Sequence, residues 1–369
     1  MSERVRFPLN GPVDPREAIR AAALDLGFTA AGFAPAEPPA HADAYLAWLA
    51  AGHHADMGWM AREDAVRRRL DPREALPGCR TLIMLLLAHP GGFPEAAPDR
   101  SGDAIIARYA AGRDYHEVFE EKLRRLSVIV ESLGAGAKCK PYVDYGPVLE
   151  RDHAQRAGLG WIGKNTLLID PARGSWLLIG ELLTTLELLP DEPFLPDRCG
   201  SCTRCIEACP TGAIVEDRVV DSRRCISWLT IENRGSIPPE LRPLIGNRVF
   251  GCDICQEVCP WNRDPEPVPR GELELGRPIA PETLASWAEQ LLELDDGSFR
   301  ERYRGTALAR PGREGLLRNL CVGLGNAADP ASAALLERCA ADESEIVREH
   351  ARWALSRVRR SPAAPRDRR

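Results

Sequence analysis

The spacing of apolar positions switches repeatedly between the two periods that mark helices and strands. Asp14 followed by Pro15 reads as a helix start, with Asp as cap and Pro in the first helical position. Apolar residues then recur at helical intervals to Leu26, and Gly27 ends the run. Residues 28–33 have strand character, 35–39 form a Pro-rich turn, and 42–51 are helical again. Residues 66–72 are a basic segment leading into a turn. Residues 82–88 are an unbroken apolar run of strand length, the pattern of a buried strand. Residues 115–133 carry Val118, Phe119, Leu123, Leu126 and Val130 at helical spacing. A strand over 138–144 should end at Asp144, and a helix over 149–157 should close at Gly158. Residues 166–170 and 176–187 suggest two strands joined by a turn at 171–174. Strands and helices are intermixed, so the pattern predicts an α+β, mixed α/β fold.

Pro-rich stretches at 190–196 and 264–269 read as linkers and divide the chain into residues 1–190, 191–265 and 266–369. The last part is helical in pattern, with segments 281–294, 315–324, 331–340 and 346–358. The pair around Asp329-Pro330 resembles a HEAT-like repeat, which must pack on the rest of the chain because so few repeats cannot form a free solenoid.

Composition changes this picture in two places. No cationic, apolar leader opens the sequence, and the apolar run 177–189 is broken by Glu181 and Glu187, so the expectation is a cytoplasmic protein with no membrane partner. The net charge of −6 is unevenly spread. Residues 300–369 hold 15 basic against 9 acidic side chains, a balance of +6 that leaves −12 for the remainder. A basic end on an acidic protein suits a polyanionic partner, and it equally suits a solvated helical face with a frayed tail.

Twelve cysteines carry the candidate chemistry. Cys199, Cys202, Cys205 and Cys209, the last followed by Pro210, have the C-x2-C-x2-C-x3-C-P spacing of bacterial ferredoxins. Cys252, Cys255 and Cys259 repeat its end, and Cys225 stands upstream. In this run the fourth cysteine ligates the other cluster. Cys199, Cys202, Cys205 and Cys259 are thus assigned to one [4Fe–4S] cluster, and Cys209, Cys225, Cys252 and Cys255 to a second. Structural zinc sites use paired C-x2-C units and fit this spacing poorly. Disulfides belong to oxidising compartments, which nothing here indicates. Cys79, Cys139, Cys321 and Cys339 lie among small or apolar residues and read as core thiols.

Outside the cysteines, Asp144 stands at a strand end before Gly146-Pro147. It is either a turn-capping residue or, if desolvated, a general acid. Gly158, Gly160 and Gly163 with Lys164 and Asn165 form a glycine-rich turn without phosphate-loop spacing. Asp114 and His116 nearly match the D-x-H-x-x-G pattern of some cobalamin enzymes, but Phe119 replaces the glycine, so Asp114 reads as a cap and His116 as a partly buried histidine, not a cobalt ligand.

Together these motifs resemble the epoxyqueuosine reductase family. The resemblance rests on residues 108–116, on 143–151 running into 158–165, on the eight cysteines with 224–232, and on 318–326 with 347–355. It implies a cobalamin-binding reductase domain akin to reductive dehalogenases, then a two-cluster ferredoxin domain, then helical repeats. The implied reaction is reduction of epoxyqueuosine to queuosine at the wobble position of a tRNA anticodon. Electrons would pass from two [4Fe–4S] clusters to a base-off cobalamin held without a His ligand. The resemblance further implies Asp144 as proton donor, with a pKa that desolvation by the corrin should raise, and Arg69, Gly160, Lys164, Asn165 and Ser227 beside the cobalamin. Arg318, Arg348 and Arg352 would meet tRNA phosphates, and an unidentified low-potential donor would feed a monomeric enzyme. The rival readings are a reductive dehalogenase-like enzyme and a ferredoxin-type electron carrier. A carrier would need only residues 196–260.

Overall fold

The computed structural model describes residues 14–89, 102–266, 273, 279–281 and 283–360. The opening residues, the end of the second linker and the basic tail beyond Arg360 lie outside the described residues.

The first part is built on a four-stranded antiparallel sheet. Its spatial order is Ala30–Pro35, Thr81–Ala88, Leu177–Thr184, Cys139–Val143. The Thr81–Ala88 strand is buried along its whole length, which is why its sequence lacks alternation. Ile83, Leu85 and Leu87 face the helices Pro15–Asp25 and Tyr115–Ser132, through Ile19, Val118, Phe119 and Leu123. Leu82, Met84 and Leu86 face the opposite layer, against Ala154, Ala157 and Leu159 at the Glu150–Arg156 helix. The expected caps are present: Asp14 accepts the Arg16 N–H and Asp114 the His116 N–H.

The two strands expected on either side of the turn at 171–174 are present, Leu168–Ile169 pairing with Trp161–Ile162 in a ribbon outside the central sheet. One expectation needs correction. Cys139 is half-buried, its thiol beside the Thr184 hydroxyl, whereas Cys79, Cys321 and Cys339 are buried.

The cysteine-bearing part is tied to the first by parallel pairing of Arg248–Phe250 with Ile105–Ile106. The last part packs the helices Leu284–Leu292, Gly312–Ala327, Ala333–Cys339 and Glu345–Val358 around Trp287, Leu316, Leu320, Ala351 and Leu355. An additional helix, Asp296–Arg302, starts at the Asp295 cap.

Arg318 is fully buried, so it cannot meet a phosphate. Its guanidinium donates to the carbonyls of Leu229, Asn233 and Gly235 and to Asn319 Oδ1, at 2.8–3.0 Å. It therefore fastens the helical part to the segment that follows Cys225. Replacing Arg318 by Leu leaves these carbonyls buried and unpaired, at about 1–3 kcal/mol for each that finds no water. Chemical denaturation of the R318L variant should show a loss of about 3 kcal/mol or more.

Candidate iron–sulfur and acid–base sites

The eight cysteines lie within electrostatic reach of one another, mostly within the two expected sets and once across them, between Cys205 and Cys255. Cys259 interacts electrostatically with Cys199 and Cys202, and Cys205 with Cys199 and Cys259. Cys225 does so with Cys209, Cys252 with Cys225, and Cys255 with both Cys252 and Cys225. Cys199, Cys202, Cys205 and Cys259 line a cavity of about 260 Å³ with Lys164, Asn165, Ile169, Arg198, Arg204, Pro260 and Trp261. Among the described residues, no three His, Cys, Asp or Glu side chains close on a single metal ion. Sulfurs arranged around a void suit a cubane, whereas zinc needs four ligands within about 2.3 Å.

All four cysteines of the second set are half-buried. Burial pushes the Cys252 thiol up to about 12 and Cys255 well above its ordinary value. Such thiols ionise when a cluster's iron compensates the charge. The sulfurs also receive hydrogen bonds that tune a cluster's potential: Trp161 Nε1–H to Cys199 Sγ at 3.4 Å and the Ala213 N–H to Cys209 Sγ at 3.2 Å.

A second constellation gathers at the end of the Cys139–Val143 strand. Asp144 has φ +53°, a left-handed conformation that a non-glycine residue adopts at a cost. This turns its side chain out of the strand, leaving it 60% accessible. The turn is tight: a Cβ at Gly146 would come within 2.6 Å of Tyr142 Cβ and 3.0 Å of Glu181 Oε1. The Tyr115 hydroxyl donates to Asp144 Oδ2 at 2.7 Å, and His116 Nε2 lies 3.6 Å from the same oxygen. His116 Nδ1 is 2.7 Å from Asp114 Oδ1, so the imidazole sits between two carboxylates with both nitrogens engaged. Burial opposes the charge on His116, but the carboxylates outweigh it and raise its pKa to about 9. The His116 charge and the Tyr115 hydrogen bond hold the Asp144 pKa below the usual carboxylate range.

Other expected residues fall elsewhere. Lys164 and Asn165 line the cluster cavity; Lys164 pairs with Asp217 at 3.1 Å, and Asn165 reaches the Cys255 carbonyl at 3.4 Å. Gly160 has φ +145°, and a Cβ there would lie 2.2 Å from the Ile169 carbonyl oxygen, so this glycine serves backbone packing. Arg69 is buried and donates to the Ala65 carbonyl at 3.4 Å, with the Glu150 carboxyl within electrostatic reach. Ser227 is half-buried just after Cys225. Arg348 donates to the carbonyls of Asp342 and Glu343, and Arg352 is exposed. Glu150 and Glu181, which flank the Asp144 turn, went unrecognised in the sequence. The only local signal was a charge inside an apolar strand.

Two family models match the chain: "Epoxyqueuosine reductase QueG, DUF1730" over residues 69–145 and "4Fe-4S double cluster binding domain" over residues 198–262. The epoxyqueuosine reductase of Vibrio cholerae is 40% identical over 352 residues, 94% of this chain and 93% of that protein. The chain belongs to the epoxyqueuosine reductase family. Its members are oxidoreductases of tRNA modification, and the cysteine-bearing part is a double [4Fe–4S] domain. A crystal structure of epoxyqueuosine reductase with an epoxyqueuosine-modified tRNA-Tyr stem loop superposes at TM-score 0.82 and 30% identity, covering 93% of this chain and 90% of that one. The Bacillus subtilis epoxyqueuosine reductase, in a structure whose catalytic aspartate loop is swung out of the active site, superposes at TM-score 0.83 with 30% identity and the same coverage.

Two measurements test these sites. Cys259→Ala should cut bound iron to roughly half by removing one cubane, with the second retained by iron assay and EPR. For His116, the folded-state pKa of about 9 lies above the ordinary 6.5. Its stabilisation is therefore full below pH 6.5 and is lost as pH rises through 9. The thermal midpoint of the parent should fall over that window, and more steeply than that of His116→Gln.

Proposed function

We propose that this chain reduces epoxyqueuosine in tRNA with a cobalamin bound over Asp144, and that Asp144 delivers the proton to the epoxide oxygen. The observation that carries the reading is the Asp144 turn. A strained residue aims an accessible carboxylate out of a buried sheet, and Tyr115 and His116 fix its direction. The surroundings fit a cobalamin without a protein ligand, because His116 Nδ1 is hydrogen-bonded to Asp114 and Nε2 faces the Asp144 carboxylate at 3.6 Å. When bound, the corrin supplies strongly reducing one-electron chemistry next to the substrate.

The chain's own residues do the rest. The clusters relay electrons from a low-potential donor, and Cys205 lies within electrostatic reach of Cys255, linking the two sets. Tyr115 and the His116 imidazolium hold Asp144 in place and keep a proton within reach of its carboxylate. Arg310, in a two-point ion pair with Glu232, adds positive charge near Asp144 from the helical part. An anticodon base, already partly unstacked, would enter this cleft while exposed arginines such as Arg352 meet phosphates. The reaction belongs in the cytoplasm, where thiols remain reduced.

The electron-carrier reading is disfavoured because the family likeness spans 94% of the chain, far beyond the cluster part. The test is anaerobic turnover of epoxyqueuosine-bearing tRNA with a strong reductant, with and without cobalamin, read by mass analysis of the nucleoside. Queuosine should form only with cobalamin. Asp144→Asn should retain both clusters and tRNA binding while losing about 10²–10⁴-fold in turnover. Parent-like turnover would remove Asp144 from the proton-donor role.

A further inference from the structure

We propose that the outer face of Tyr145 is a stacking platform for a nucleobase of the anticodon loop, and that it sets the substrate beside Asp144. The inference rests on the reading of epoxyqueuosine-bearing tRNA as the substrate and adds a residue that binds it.

Trp59 and Tyr145 are the two exposed aromatic side chains among the described residues. Tyr145 is the more open, at 58%, and it directly follows Asp144. A solitary exposed ring needs no explanation by itself. This one is held from several sides. It ends a ladder of three rings: Tyr115 and His116 stack with centroids 4.1 Å apart and planes 27° apart, and His116 and Tyr145 follow at 5.9 Å and 24°. The Tyr145 hydroxyl donates to Glu120 Oε1 at 3.0 Å, on the same helix that carries Tyr115 and His116. Its backbone N–H donates to the Val143 carbonyl and closes the turn around the left-handed Asp144. With one face turned to His116 and more than half of the residue exposed, the other face is open.

The supports of this ring are also the supports of the acid. Tyr115 donates to Asp144 Oδ2 at 2.7 Å, and His116 Nε2 stands 3.6 Å from the same oxygen. Cation–π attraction between the His116 imidazolium and the two phenol rings stiffens the ladder. A planar group laid on Tyr145 is therefore placed relative to the Asp144 carboxylate by one rigid set of contacts.

Single-stranded RNA is recognised by stacking its unpaired bases on aromatic side chains. Tyrosine suits the task because it offers a large flat area with few torsions to freeze, and here those torsions are already fixed. A flat face accepts any base, so the platform supplies position and leaves sequence to other contacts. The corrin is the rival occupant. Its faces carry methyl groups and amide arms, whereas a nucleobase is flat on both sides and matches the open phenol.

The test uses the full chain with its clusters and an epoxyqueuosine-bearing stem loop. Without cobalamin, Tyr145→Ala and Tyr145→Leu should weaken binding of the stem loop by about 5- to 150-fold, the usual worth of one base–aromatic stack. The slope of affinity against salt should stay that of the parent, because no phosphate contact is lost. With cobalamin and reductant, KM should rise by a similar factor while kcat changes less than about threefold. Tyr145→Phe and Tyr145→Trp, which keep a flat face, should bind close to the parent. Parent-like affinity and KM in both the Ala and Leu variants overturn the proposal. So does a Leu variant that binds like the parent, since apolar area without a flat face would then suffice. Loss of corrin uptake with RNA affinity intact gives the ring to the cofactor and also overturns it. If Tyr145→Ala loses iron, the comparison of Leu with Phe and Trp decides. A parent that neither binds nor reduces the tRNA sinks the assigned reaction and the platform with it, whereas an active parent with unaffected variants sinks the platform alone.

Discussion

A double [4Fe–4S] domain in one short segment imposes a constraint that the remaining structure must obey: cysteines far apart in the chain have to come together. Cys259 lies within electrostatic reach of Cys199, and Cys225 of Cys209, Cys252 and Cys255, across some fifty residues of chain. The segments that close the crossing are pinned from outside. Trp161 of the first part bonds to Cys199, Asn165 touches the Cys255 carbonyl, and buried Arg318 of the helical part clamps the turn after Cys225. The three parts of the chain thus act as one body because each holds a piece of the cluster scaffold.

The same packing fixes the electrostatics at Asp144. His116 gains its proton because two carboxylates outweigh burial, and Asp144 stays ionised beside that cation and the Tyr115 phenol. At Glu181, opposite Tyr142 in the sheet, burial wins and holds the carboxyl well above the usual range.

How much of this was legible beforehand depends on range. The cysteine pairing follows from local spacing, and Asp14, Asp114 and Gly27 announce helix ends because caps are local hydrogen bonds. The double-sided burial of Thr81–Ala88 is likewise written in its unbroken apolar run. What failed depended on contacts across the fold. Charge counting placed Arg318 with Arg352, although one is enclosed by carbonyls of another segment and the other faces solvent. That Lys164 and Asn165 border the first cysteine set was equally hidden, because it depends on the glycine-rich turn folding toward the cysteines. Glu181 looked like a mere interruption of an apolar run, since its partners arrive from a helix and a turn some thirty residues upstream.

The strain at Asp144 links these levels. A glycine in its place would relieve the left-handed backbone but would remove the carboxylate, and a regular strand end would point that carboxylate along the sheet, not outward. The fold holds the costly conformation because Val143 before it and Gly146 after it are both locked in contacts, Val143 in the apolar layer and Gly146 against Tyr142 and Glu181. Residues that look purely structural thereby aim the accessible acid at this turn. The buried acid beneath the turn is part of what keeps that aim fixed, so protonation of the interior and orientation of the surface group are two properties of a single packing arrangement.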